Sequence, residues 1–122
     1  VKTLDYFVNE NNIKKIDILR MDVEGFEYNI LLGANEVLEK FKPKLFIEIH
    51  KMYLGKEKTC KIFNDLKNKK YEVKYYIPRI YDSPIIGKLK DIKKTTIDEI
   101  QNKLKNNTLP DAFQVVLEYT KS

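Results

Sequence analysis

Two short apolar runs, IDILRMDV (residues 16–23) and KLFIEIH (44–50), flank a segment whose apolar residues recur every three or four positions. That order constrains the fold more than any other feature of the chain. Short apolar runs with polar bounds mark buried strands. Between them, Ile30, Leu31, Ala34, Val37, Leu38 and Phe41 form the stripe that a helix starting near Glu24 would lay on a sheet. Gly33 inside that helix costs about 1 kcal/mol against Ala, so it is expected to permit close packing. Pro43 ends the helix. A second unit follows: a helix over 56–69 with Ile62, Phe63 and Leu66 inward, then a strand, YEVKYYI, stopped by Pro78. Consecutive strand–helix–strand units predict parallel pairing, because such crossovers need a helix. The chain therefore reads as α/β, with a mostly parallel sheet and flanking helices.

The ends follow local rules. Thr3 is placed to cap a short helix carrying Leu4, Phe7 and Val8, with Asp5 at its positive end and Asn11-Asn12 as the stop. Residues 78–111 are less regular: Pro78, Pro84 and Gly87 punctuate a loop. Thr96 and Glu99 then have capping-box spacing for a helix through Leu104, with Ile97, Ile100 and Leu104 inward. AFQVVLEY alternates as a final strand, with Phe113, Val115, Leu117 and Tyr119 on one face.

At 122 residues the chain is long enough for one domain and too short for two, and 43% hydrophobic with 34% charged residues excludes wholesale disorder. No apolar run approaches the roughly 18–20 residues of a membrane span. The opening VKTLDYFVNE has neither the apolar region nor the cleavage site of a signal peptide. It also lacks an initial Met, so a fragment or processed product is expected. The lone Cys60 excludes an internal disulfide, reads as a half-buried thiol, and suits a reducing, cytoplasmic setting. The net charge of +5 is spread along the chain without an aromatic-plus-basic motif, so neither nucleic acid nor a membrane is expected as a partner. Oligomeric state is not legible.

The first strand looks central because both its faces are apolar. The strands that follow can cover only one of its sides, and a long bare hydrophobic edge is normally avoided. Further strands upstream are therefore expected.

In open parallel sheets, ligands bind beyond the carboxyl ends of the strands. Asp22 and Glu24 lie at that end of the first strand, and Glu48 and His50 at that end of the next. Asp22 or Glu24 also suits capping the following helix, Glu24 and Glu27 have capping-box-like spacing, and His50 also suits a solvated loop. Glu48 is harder to explain as a bystander, because a carboxylate inside an apolar strand needs a partner. These residues can take a proton from a hydroxyl or amine during attack on an electrophilic carbon. They can also bind a divalent cation that holds a hydroxyl substrate. Spacing does not choose between them; the metal-free version is favoured.

TLDYFV, IDILRMDVEGFEYNILLGA and KPKLFIEIH together resemble the FkbM-type methyltransferases. The shared positions are Thr3, Leu4, Asp5, Asp17, Asp22, Val23, Glu24, Gly25, Glu27, Leu32, Gly33, Ala34 and Glu48, with Arg20 and Met21 as mild departures; the match covers residues 1–50. The resemblance implies a Rossmann-like class I fold with a seven-stranded sheet. It implies S-adenosylmethionine as methyl donor and O-methylation of a sugar or natural-product hydroxyl. MDVEG would then end the fourth strand, IEIH the fifth, and 78–111 would be a substrate-side insertion. Asp22 and Glu24 would meet the cofactor, while Asp22, Glu48 and His50 would serve catalysis. Such enzymes grip the cofactor with a glycine-rich turn, but Gly25, Gly33, Gly55 and Gly87 are too dispersed to make one. The expectation is a C-terminal half of the enzyme, inactive alone. The alternative is a non-catalytic α/β remnant or interaction module.

Overall fold

The computed structural model describes residues 2–78 and 92–120; the expected turn residues Pro84 and Gly87 lie outside them. The elements run α1 (Leu4–Glu10), β1 (Ile18–Met21), α2 (Glu27–Leu32), α3 (Asn35–Phe41), β2 (Lys44–His50), α4 (Lys51–Asn68), β3 (Tyr71–Pro78), α5 (Ile97–Lys105) and β4 (Ala112–Tyr119).

Local signals hold where they depend on near neighbours. The Thr3 hydroxyl accepts from the Tyr6 amide at 3.1 Å, and Thr96 accepts from Glu99 at the same distance. Lys42 takes a left-handed conformation (φ 50°) between the end of α3 and Pro43. Within α4, Gly55 has φ 81° and ψ 167°, so the regular helix starts after it, close to the expected residue 56. Ile62, Phe63 and Leu66 on α4 are buried, as are Ile97, Ile100 and Leu104 on α5.

Two expectations about the first βα region are corrected. The single helix from Glu24 to Phe41 is two helices, broken at Gly33-Ala34. A Cβ on Gly33 would lie 2.9 Å from the Cβ and Cγ2 of Thr3, so the glycine does serve close packing, but at a break. Asp5, expected to serve α1, instead caps α3: its carboxylate accepts from the amides of Glu36 (3.0 Å) and Val37 (2.9 Å). Ala34, at the N-cap of α3, has no side chain to do this. Asp5→Ala is expected to cost about 1–2 kcal/mol, the range for a lost N-cap, read as a lower urea midpoint.

The sheet order is β1-β2-β4-β3. β1 and β2 are parallel, but β4 is antiparallel to both β2 and β3, so the pairing is mostly antiparallel rather than mostly parallel. The last strand inserts between β2 and β3, separating strands that successive crossovers would otherwise have paired. β2 and β3 still run in the same direction, because each opposes β4. β4 fits this central place through Phe113, Val115 and Leu117, all essentially inaccessible. Lys74 is an extra residue in the β3–β4 register, so Tyr71, Val73 and Tyr76 all reach the core despite their uneven spacing.

β1 is shorter than expected and forms one edge of the described sheet, with Ile18 57% exposed. It is not buried on both sides among the described residues. Its free edge is the one the sequence led us to expect. Among the described residues, no helix is long and apolar enough to cross a membrane.

The Tyr71 hydroxyl is buried and donates to the Pro43 carbonyl at 2.8 Å, tying β3 to the start of β2. Burial raises the pKa of Tyr71, and that of Tyr76, above the ordinary phenol value near 10. A raised folded-state pKa means that the stabilisation is complete below pH 10 and lost as pH rises further. Unfolding followed against pH should therefore show a decline in stability above pH 10. Tyr71→Phe should flatten that decline while costing about 1 kcal/mol at neutral pH for the lost hydrogen bond.

Candidate functional site

The parallel pairing of β1 with β2 aligns Met21 with Ile47, so the next residues, Asp22 and Glu48, emerge side by side at the carboxyl ends. Strand alternation sends Leu45, Ile47 and Ile49 into the core, while Phe46, Glu48 and His50 share the opposite face. His50 is the last residue of β2 and the N-cap of α4, a junction with no intervening loop. Its ring is 95% or more buried rather than solvated.

Glu27, in the first turn of α2, fixes that ring. The fully buried Glu27 accepts three hydrogen bonds: from the Gly25 amide at 2.8 Å, from the His50 amide at 3.2 Å and from His50 Nδ1 at 2.5 Å. A carboxylate that already accepts two amide protons is an acceptor for Nδ1 as well, so the network places the imidazole proton on Nδ1. Nε2 is left facing the two strand-end carboxylates, 3.6 Å from Glu48 Oε1 and 3.7 Å from Asp22 Oδ1, beyond hydrogen-bonding length. Asp22, Glu48 and His50 each offer a ligand atom within 4.8 Å of the others.

The turn that makes this possible is strained. Glu24 and Gly25 both have positive φ, 45° and 101°, which turns the chain sharply from β1 into α2. A Cβ on Gly25 would lie 2.7 Å from Tyr53 Cβ, so glycine also lets α4 close over the turn. The Tyr53 ring lies 6.1 Å from that of His50, centroid to centroid.

Of the four residues singled out from sequence, the fold gathers three. Glu24 is exposed in the turn and is not part of the group formed by Asp22, Glu48 and His50. The residue missed as a site component was Glu27. The sequence did place it in the DVEGFE run, but as a helix-end residue. Its link to His50 spans 23 positions, outside the reach of any local rule.

A pocket of about 190 Å³ opens beside the cluster on the outer face of the sheet, lined by Arg20, Asp22, Phe46, Glu48, Ile77 and Gln114 among others. The family model described as Methyltransferase FkbM domain matches residues 1–73, which include the whole Asp22–Glu27–Glu48–His50 constellation. The chain belongs to the FkbM methyltransferase family. No curated protein and no solved structure matches it.

Methyltransferases of this kind use S-adenosylmethionine as a class. The pocket beside Asp22 and the described glycines of this FkbM chain do not by themselves fit that group. The pocket beside Asp22 is smaller than the roughly 300–1,000 Å³ of sites that enclose a small molecule, and among the described residues Gly25, Gly33 and Gly55 make no phosphate- or ribose-cradling turn.

Proposed function

We propose that this chain is the acceptor-side part of an S-adenosylmethionine-dependent methyltransferase with a Rossmann-like sheet, methylating a hydroxyl of a sugar or natural product. The observation that carries this reading is the oriented imidazole: Glu27 holds His50 so that Nε2 faces Asp22 and Glu48 at adjacent strand ends. An acceptor hydroxyl placed there is held by the cluster, which also receives its proton. Asp22, half exposed, borders both the cluster and the pocket. Fixing a buried imidazole in one tautomer beforehand removes a reorganisation cost at the moment of reaction.

The cofactor grip is assigned to further strands pairing with the free edge of β1. Exposed Ile18 on β1, with Phe26 and Leu32 on the adjoining turn and helix, supports such a neighbour. Residues 78–111 then shape the acceptor side, and a half-buried free thiol at Cys60 suits a cytoplasmic setting.

Calorimetric titration of S-adenosylmethionine into the parent polypeptide, with the 122 residues alone as control, tests this reading. Binding by the parent alone is expected. Binding by neither supports a non-catalytic α/β remnant, and binding by the 122 residues would overturn the placement of the grip. In the active parent, His50→Ala should lower methyl transfer by about 100-fold or more, the contribution of a positioned acid–base group.

A further inference from the structure

We propose that Asp22 Oδ1, Glu48 Oε1 and His50 Nε2 are the protein ligands of a divalent cation, with Glu27 as the outer residue that aims the histidine. Sequence spacing alone favoured a metal-free site, and the tertiary placement of Glu27 reverses that preference.

The first argument is geometric. Ligand distances of about 2.0–2.2 Å put neighbouring donor atoms about 3–3.5 Å apart, and opposite ones a little over 4 Å. The Nε2–carboxylate separations of 3.6 and 3.7 Å need contraction by a few tenths of an ångström to reach the neighbour range, and the two carboxylates, within 4.8 Å of one another, close the rest by movement of the half-exposed Asp22 side chain. The same separations exceed ordinary hydrogen-bond length and leave room to be bridged by an ion.

The second argument is independent of those distances. A metal-bound histidine characteristically donates its other ring N–H to a carboxylate, which fixes the tautomer and raises the basicity of the ligating nitrogen. Glu27 does this from a fully buried position, and it also holds the His50 main chain through the same oxygen. Besides holding β2 and α4 to the turn, this carboxylate fixes the direction of the Nε2 lone pair, which packing alone does not require. The 47% exposure of the Asp22 side chain leaves an open side, through which the ion can enter and a further ligand can bind.

One imidazole with two carboxylates is a mixed donor set suited to Mn²⁺ or Zn²⁺ and less suited to Ca²⁺, which takes oxygen ligands. With the ion bound, His50 Nε2 is a ligand and no longer takes the acceptor's proton, so His50 then acts by holding the ion. Use of the ion to hold the acceptor hydroxyl rests on the proposed methyltransferase reading, whereas binding of the ion does not.

The test is titration of Mn²⁺ alone into the purified full-length protein, following loss of the free-ion electron paramagnetic resonance signal, with calorimetry of Zn²⁺ alongside. One equivalent should bind, and Asp22→Asn, a change at a half-exposed position, should weaken binding at least 10-fold with the circular dichroism spectrum unchanged. Glu27→Gln should weaken it by about 10–100-fold, the range for loss of an outer-shell partner. A folded protein that binds neither ion, or an Asp22→Asn variant that binds as well as the parent, would overturn the site. Methyl transfer that persists after chelation with no ion bound would overturn the ion's use on the acceptor hydroxyl and leave the methyltransferase reading standing. Ion binding without any S-adenosylmethionine binding would leave the site standing and overturn the methyltransferase reading.

Discussion

Replacing Glu27 by Ala should cost the fold about 3–5 kcal/mol, the loss expected when several buried donors are left without their acceptor. Three donors lose their acceptor together: the amides of Gly25 and His50, and His50 Nδ1. Each buried donor left without a partner costs about 1–3 kcal/mol, and the cavity admits water to only part of them. Against a typical total of about 5–15 kcal/mol, that loss brings the protein near its unfolding limit. Glu27→Gln keeps the volume and one carbonyl oxygen, which can still accept from both His50 donors, so it should lose much less while its NH2 opposes the Gly25 amide. Urea unfolding of both variants, followed by circular dichroism, separates the contributions. If Glu27→Ala unfolds within 1 kcal/mol of the parent, the buried acceptor is not what holds β2 and α4 to the turn.

Gly25→Ala is the second large effect, expected to destabilise by about 2–5 kcal/mol. A non-glycine residue held in the left-handed region costs about 1–2 kcal/mol. Forcing an added methyl into a packed contact costs a further 1–3 kcal/mol or so. Both apply here, since φ is 101° and the new Cβ would meet Tyr53 Cβ at 2.7 Å. The two parts can be separated. Pairing Gly25→Ala with Tyr53→Gly removes the steric part and leaves the backbone part, so the double variant should recover stability relative to the sum of the singles. Strict additivity would mean that the turn does not press on α4. Because the Gly25 amide is also a donor to Glu27, Gly25→Ala should displace His50 as well, and weaken any chemistry that depends on Nε2.

The sequence by itself determined the elements and the interactions closed within one helical turn. KLFIEIH is β2 to the residue, Thr3 and Thr96 cap the helices they were expected to cap, and the inward faces of α4 and α5 are the apolar stripes. It also marked Asp22, Glu48 and His50, because residues at the carboxyl ends of apolar strands stand out in one dimension. Periodicity reports which face of an element is buried and says nothing of what lies against it. Only the tertiary structure decided that β4 enters between β2 and β3, making most of the pairing antiparallel. It alone carried Asp5 across to cap α3 and left Glu24 outside the cluster. It alone set Glu27 behind His50, because a hydrogen bond between residues 23 positions apart depends on where two elements meet, and no local pattern records that meeting.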